Sequence, residues 1–212
     1  MATHRVIWLS VFIVMLLLAP LAPVLELDRV VSAALRPYGH QWPPLQLVWV
    51  LGGVPLTFLV LMIAAYGRVS HSKPWRGLIG GFLVGTVVEV LCKHWLAIPN
   101  PLNVPPPPAY QSLILATNIE PQQVVHWLSF ILGANHQSSH HLTLLRGTFP
   151  SGHLFRLTFV LSTLITAGRW QWTVVALAAV ATAAVVATGG HWIWDAAGGY
   201  CLSQLMAAWS VK

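Results

Sequence analysis

The 212-residue chain is 56% hydrophobic and only 8% charged, with a mean hydropathy of +0.69. Soluble domains carry about 25% charged residues, so this chain lacks the polar residues to coat a water-facing surface and reads as a single membrane domain over residues 1–212. Its formal charge of +6, from 11 basic against 5 acidic residues, comes without a basic helix or Arg-rich run, which argues against a nucleic-acid partner.

A spanning helix needs about 20 apolar residues. The first expected span covers residues 6–25, where no charged side chain stands between Arg5 and Glu26. The apolar core of a signal peptide runs to roughly 7–15 residues, so a retained span is expected. The second is expected over residues 45–66 and the third over residues 77–98. The third contains Gly81 and Gly85, a spacing that permits close helix approach. It also contains Glu89 and Lys93 at i,i+4. Charges at such depth are costly in lipid and are expected to face protein or a wet cavity.

The stretch from Pro99 to Pro150 is different in kind. Pro99, Pro101 and the run Pro105 to Pro108 cannot continue a helix, and a long extracytoplasmic loop is expected over residues 99–150. The proline run reads as a stiff spacer, followed by a short amphipathic piece over residues 124–132. His136, His140 and His141 read as solvated loop histidines, since no Cys or acidic ligand stands near them; no metal is expected. The remaining spans are expected over residues 152–166, 172–188 and 191–209, the last two parted only by a turn at Gly189-Gly190. The fold class is therefore all-α, a polytopic membrane protein of about six transmembrane helices.

Short-loop charge sets the orientation. Arg68, Lys73 and Arg76, then Arg169, then Lys212 fall on one side, which the positive-inside rule makes cytoplasmic. Arg29, Arg36 and Arg146 fall on the other. This layout fits a plasma (inner) membrane protein whose motif-bearing helix ends meet on the extracytoplasmic side. Trp75, Trp170 and Trp172 flank apolar runs as interfacial anchors would. Cys92 and Cys201 lie inside apolar stretches and read as packing residues.

Two short stretches carry candidate chemistry. In Thr148-Phe149-Pro150-Ser151-Gly152-His153, Ser151 can cap the following helix and Gly152 lets an anion reach the backbone. Free N–H groups at a helix start favour phosphate, and His153 would stand beside it. An ordinary Ser N-cap with an interfacial His is the plainer alternative. The second stretch is His191 and Asp195, whose i,i+4 spacing places them on one helix face. There the carboxylate can hold one imidazole nitrogen and leave the other free to attack or to accept a proton. A His–Asp pair that merely joins helices is the alternative.

Taken together, these residues resemble the type-2 phosphatidic acid phosphatase family, which shares its helical core with vanadium-dependent haloperoxidases. The family's Pro-Ser-Gly-His motif matches Pro150–His153, and its His-x-x-x-Asp motif matches His191–Asp195. Its first motif, a Lys followed after six residues by Arg-Pro, is met by Lys93 and then Asn100-Pro101. The resemblance implies that His191 is a nucleophile forming a phosphohistidine, oriented by Asp195. It implies that His153 protonates the leaving oxygen, and that Lys93, Ser151 and Gly152 hold phosphoryl oxygens. No cofactor is implied, because cations and backbone N–H groups stabilise the transferring group. The implied substrate is a lipid phosphate or pyrophosphate whose tail stays among the membrane lipids.

The chain departs from that pattern twice. Asn100 stands where the first motif has arginine, and Val185 stands where an arginine precedes the motif histidine by six residues. Neither can imitate a bidentate phosphate ligand. Arg156, one turn after His153, and Arg146, just upstream, are the expected replacements. Arg156 snorkelling to the interface is the alternative. A non-catalytic relative that binds a lipid head group or a membrane partner is the second functional reading.

Overall fold

The computed structural model describes residues 2–41, 43–70, 75–101, 147–165 and 171–210. The proline run, the expected piece at 124–132, His136, His140, His141, Arg146, Trp170 and the basic Lys73, Arg169 and Lys212 lie outside the described residues. Within the described residues every regular element is helical: α1 (Ala2–Leu18), α2 (Ala22–Gln41), a 3-10 turn (Pro43–Gln46), α3 (Leu47–Leu51), α4 (Val54–Ser70), α5 (Arg76–Leu96), α6 (Gly152–Leu164), α7 (Gln171–Ala187) and α8 (Ile193–Ser210).

Two of the expected spans are broken. The first, expected over residues 6–25, stops at Leu18, and α2 leaves it at 90° after Ala19-Pro20-Leu21. Pro20 cannot continue the helix hydrogen-bond ladder, which is why the apolar run divides there. The second, expected over residues 45–66, is interrupted at Gly52-Gly53 between α3 and α4. Both glycines are buried, and a Cβ on Gly52 would collide with the His153 backbone carbonyl. The break therefore lets α3 approach the start of α6 more closely than a side chain would permit.

Of the single helices, α5 is long and apolar enough to cross a membrane, and α1 with α2 passes the same test only as a bent pair. Its sides differ sharply. Leu83, Val84, Val87, Leu91 and Trp95 are exposed along one face, while Leu78, Phe82, Gly85 and Glu89 are buried on the other. Gly81 and Gly85 do bring helices together: Gly81 lies against Met206 of α8, and the Phe155 ring of α6 fills the space where a Gly85 side chain would stand.

The centre of the fold is the α6–α8 pair, the most extensive helix contact among the described residues, backed by α1 and α5. Thr158 of α6 donates its hydroxyl to Ser203 of α8 at 2.7 Å, and Gln204 of α8 donates to Ser162 of α6 at 2.8 Å. Gly199 packs against the Ser151 carbonyl. These contacts set α6 and α8 parallel, with both N-termini at one end. Gly77 meets Ser210 at the opposite end, so α5 runs antiparallel to α8 and brings Glu89 and Lys93 to the same place. Around this centre lie Phe82, Phe149, Phe155, Phe159, Leu202 and Met206, while a second cluster of Val48, Trp49, Leu154, Val185 and Val186 joins α3, α6 and α7.

Candidate active site

The chain segments that carry the motifs meet where α5 and α7 end and α6 and α8 begin. Ser151, fully buried, has an extended backbone (φ −66°, ψ 112°) that starts α6, and its hydroxyl accepts the Leu154 N–H at 3.4 Å. This is the N-cap expected of Ser at a helix start. Its own N–H donates to the Asp195 carbonyl at 2.8 Å, which locks the two motif segments together. Gly152 is tight for a separate reason. A Cβ there would fall on the Glu89 carboxylate, so a negative group already lies against the first turn of α6.

His191 does not sit on a helix, contrary to the expected span over residues 191–209. The last helix begins at Ile193, and His191 occupies the turn after α7. Gly189 has a φ of 76°, a left-handed conformation that glycine adopts without strain and that commonly ends helices. The chain then folds back, and the N–H groups of Gly190 and His191 donate to the Val185 carbonyl at 3.2 and 3.3 Å. Asp195 lies in the first turn of α8, where its Oδ2 accepts the Trp192 N–H at 3.0 Å. The same oxygen is 3.5 Å from His191 Nδ1, longer than a formed hydrogen bond. The pair is thus built by a helix cap and a turn rather than by one helical face.

The two histidines come within 6.2 Å of each other, measured between ring centroids. Trp49 of α3 contacts both, edge-on to His153 at 4.4 Å and stacked with His191 at 5.9 Å. Its indole N–H donates to the Thr188 hydroxyl at 3.1 Å, and its ring fills the space beside Gly190. Asp28 of α2 reaches the same helix end, accepting the Trp194 N–H at 3.1 Å. Neither Trp49 nor Asp28 was among the residues singled out by motif. Trp49 is one of 11 tryptophans and has no local pattern to mark it. Asp28 is one of 5 acidic residues, and that scarcity is the only hint of its role.

Burial acts on these groups in opposite senses. His191 is pushed below the usual histidine range by desolvation, only partly offset by the Asp195 carboxylate, so its imidazole is neutral at neutral pH. Asp28 is raised to about 7, first by desolvation, with the N–H of Trp194 lowering it and the Asp195 charge raising it again.

Glu89 engages both cations beside the site. Lys93 Nζ lies 2.7 Å from Glu89 Oε1, and Arg156 Nη1 lies 3.0 Å from Glu89 Oε2. Arg156 also donates its Nε–H to the Gly52 carbonyl at 2.8 Å. The expected role of Arg156 as a spare phosphate ligand therefore meets a buried ion pair instead, because Glu89 faces it from α5. Val185 is fully buried in the apolar cluster with Val48, Trp49 and Leu154, where a guanidinium would lack partners. Asn100 is beside the site, with its side-chain amide donating to the Gly190 carbonyl at 3.4 Å.

No family model, no curated protein and no solved structure matches this chain.

Proposed function

We propose that this chain is an integral membrane phosphatase that hydrolyses a lipid phosphate or pyrophosphate through a phosphohistidine. One observation carries the reading. Lys93, His153 and the His191–Asp195 pair, far apart in the chain, come together at one end of the helix bundle, where two helix N-termini also point. Packing alone gives no reason to assemble two histidines, a carboxylate and a lysine there, whereas transfer through a phosphohistidine gives each of them a role.

In this mechanism the neutral His191 attacks phosphorus through the nitrogen turned away from Asp195. The P–O bond to the leaving group breaks, and protonated His153 gives its proton to the departing oxygen. Water then attacks the phosphohistidine, His153 takes back a proton, and the P–N bond breaks to release phosphate. Asp195 steadies the imidazolium character that develops on His191. Lys93 and the N–H groups at the start of α6 face the charge on the phosphoryl oxygens.

Membrane embedding has independent support in the surface. Leu17, Ile63, Val180, Trp95 and Trp172 are all more than 60% exposed, on α1, α4, α5 and α7. An outward apolar face this extensive suits lipid rather than water. In the reading we favour, α1 and α4 to α8 cross the bilayer, and α2, with Glu26, Asp28, Arg29 and Arg36, lies outside the spans along its surface. Trp75 and Trp172 are exposed near helix ends, as interfacial anchors would be. The type-2 phosphatidic acid phosphatase resemblance and an extracytoplasmic site belong to this same proposal.

A second reading is favoured by Glu89, which already shares its carboxylate between Lys93 and Arg156. A pocket whose cations are already engaged in this way would suit a protein that binds a lipid head group without turning it over. One experiment separates the two. Phosphate release from a panel of lipid phosphates is measured for the detergent-purified protein and for His191→Ala. Release that depends on His191 supports the phosphatase; equal release from both proteins rejects it.

A further inference from the structure

The proposed site is short of cations. Asn100 and Val185 replace two arginines of the resembled family, and Lys93 and Arg156 share one carboxylate. A phosphate dianion needs more positive charge than that remainder supplies.

Arg36 is a buried guanidinium in a different position. It projects from α2, is 8% exposed, and donates one hydrogen bond, from Nη2 to the Pro101 carbonyl at 3.1 Å. No carboxylate pairs with it among the described residues. A buried arginine has five N–H donors and a full charge to satisfy, and leaving it unpaired is costly. Desolvation correspondingly pulls its pKa down.

Its surroundings belong to the site. Pro101 follows Asn100, whose amide donates to Gly190 beside His191. Pro99, on the other side of Asn100, accepts the Trp192 indole N–H at 2.8 Å. Gly39, one turn beyond Arg36 on α2, abuts the Ala187 carbonyl and the Thr188 N–H so closely that no side chain fits. Segment 99–101, the turn that carries His191, and α2 are therefore held together as one rim.

We propose that Arg36 binds the phosphoryl group of the substrate, supplying from α2 the positive charge that Asn100 does not supply. The inference rests on the phosphatase reading above. It deepens that reading by making α2, outside every motif, part of the anion site. The ligand is the terminal phosphate or pyrophosphate of a lipid, and a guanidinium that no carboxylate pairs among the described residues is kept because that anion pairs with it.

Orthovanadate is the probe, with binding to the full chain in detergent followed by calorimetry, alongside phosphate release and the thermal midpoint. Arg36→Met removes the charge but fills the buried space. It is expected to melt at or above the wild-type midpoint, because a buried charge that no carboxylate pairs among the described residues has gone, while orthovanadate binds at least about 30-fold more weakly. Adding Asn100→Arg to Arg36→Met is expected to restore most of that affinity. A purely structural brace to Pro101 gives the opposite pattern. If Arg36→Met fails to fold or melts well below wild type, the proposal is overturned. Orthovanadate binding within about threefold of wild type also overturns it, and if His191-dependent phosphate release is intact the phosphatase reading survives. A wild-type protein that neither binds orthovanadate nor releases phosphate removes both.

Discussion

Glu89 Oε2 lies 3.0 Å from Arg156 Nη1, tying α5 to α6, while its other oxygen lies 2.7 Å from Lys93. Both ends of the Glu89–Arg156 pair are more than nine-tenths buried. The carboxylate also lies against Gly152, so a single side chain engages two cations and abuts a helix N-terminus. Removing Glu89 leaves two cations without their carboxylate, whereas removing Arg156 leaves Glu89 paired with Lys93. Glu89→Ala is expected to lower stability by about 3–5 kcal/mol, and Arg156→Ala by less, because Lys93 still pairs with the carboxylate. The double variant is expected to lose clearly less than the sum, and thermal unfolding in detergent across the four proteins measures that coupling.

Gly152 and Gly199 are both positions where backbone or carboxylate fills the space of a side chain. Gly199→Ala must part α8 from the Ser151 carbonyl and is expected to cost about 1–3 kcal/mol. Because Ser151 donates to the Asp195 carbonyl, the same displacement shifts the His191–Asp195 pair. Phosphate release is therefore expected to fall further than the thermal midpoint alone would account for; a change in stability with unaltered specific activity would contradict this coupling.

Trp49 contacts both histidine rings. Trp49→Ala is expected to cost about 3–5 kcal/mol through the cavity it leaves and to release both imidazoles. Trp49→Phe keeps a ring and loses the hydrogen bond to Thr188, so a smaller loss of about 1 kcal/mol is expected. A ring-contact role predicts that phosphate release follows the order wild type, Phe, Ala.

The direction of the His191 shift gives a pH dependence. Its pKa lies below the ordinary value of about 6.5, so the neutral imidazole that the proposed mechanism requires persists as pH falls through that value. The acid limb of kcat/KM that belongs to His191 is expected below about pH 6.5. The linked stability runs the same way: below the unfolded-state pKa the unfolded chain takes up the proton first, so the His191 contribution is lost as pH falls. His191→Gln is expected to flatten that part of the stability profile, read as thermal midpoint against pH.

Asp28 has the opposite sign. Its pKa is raised from 3.8 to about 7, so the folded protein holds a proton that the unfolded chain has already lost. Its contribution to stability therefore falls as pH rises from about 4 to 7. Asn at this position keeps an oxygen for the Trp194 N–H and never ionises. Asp28→Asn is expected to raise the thermal midpoint relative to wild type at pH 8 and to leave little difference at pH 4; an unchanged difference between those two pH values would exclude the assignment.

Local chemistry made several features legible without coordinates. Pro150-Ser151-Gly152 announces a helix start because serine caps and proline stops the preceding chain, and α6 begins there. The Gly81 and Gly85 spacing anticipates close packing, and Glu89 and Lys93 at i,i+4 do pair and face inward. Helical content followed from the length of the apolar runs. The boundaries of the first two runs did not, because hydropathy varies smoothly across Pro20 and Gly52-Gly53 while the backbone breaks there.

The i,i+4 spacing of His191 and Asp195 placed them within reach of each other, but by the wrong geometry. A glycine turn and a helix cap, rather than a helical face, bring them together. Partner choice was the larger gap. Spacing along the chain put Arg156 beside His153, yet Glu89, 67 residues away, binds its guanidinium. Arg36 shows no motif, and only the packing of α2 across Ala187 and Thr188 brings it to the Pro101 carbonyl. Side-chain type and short spacing record what a residue can do and which near neighbours it can reach. Electrostatic partnership falls off steeply with distance in space, and that distance is set by helices that meet after long intervals of sequence.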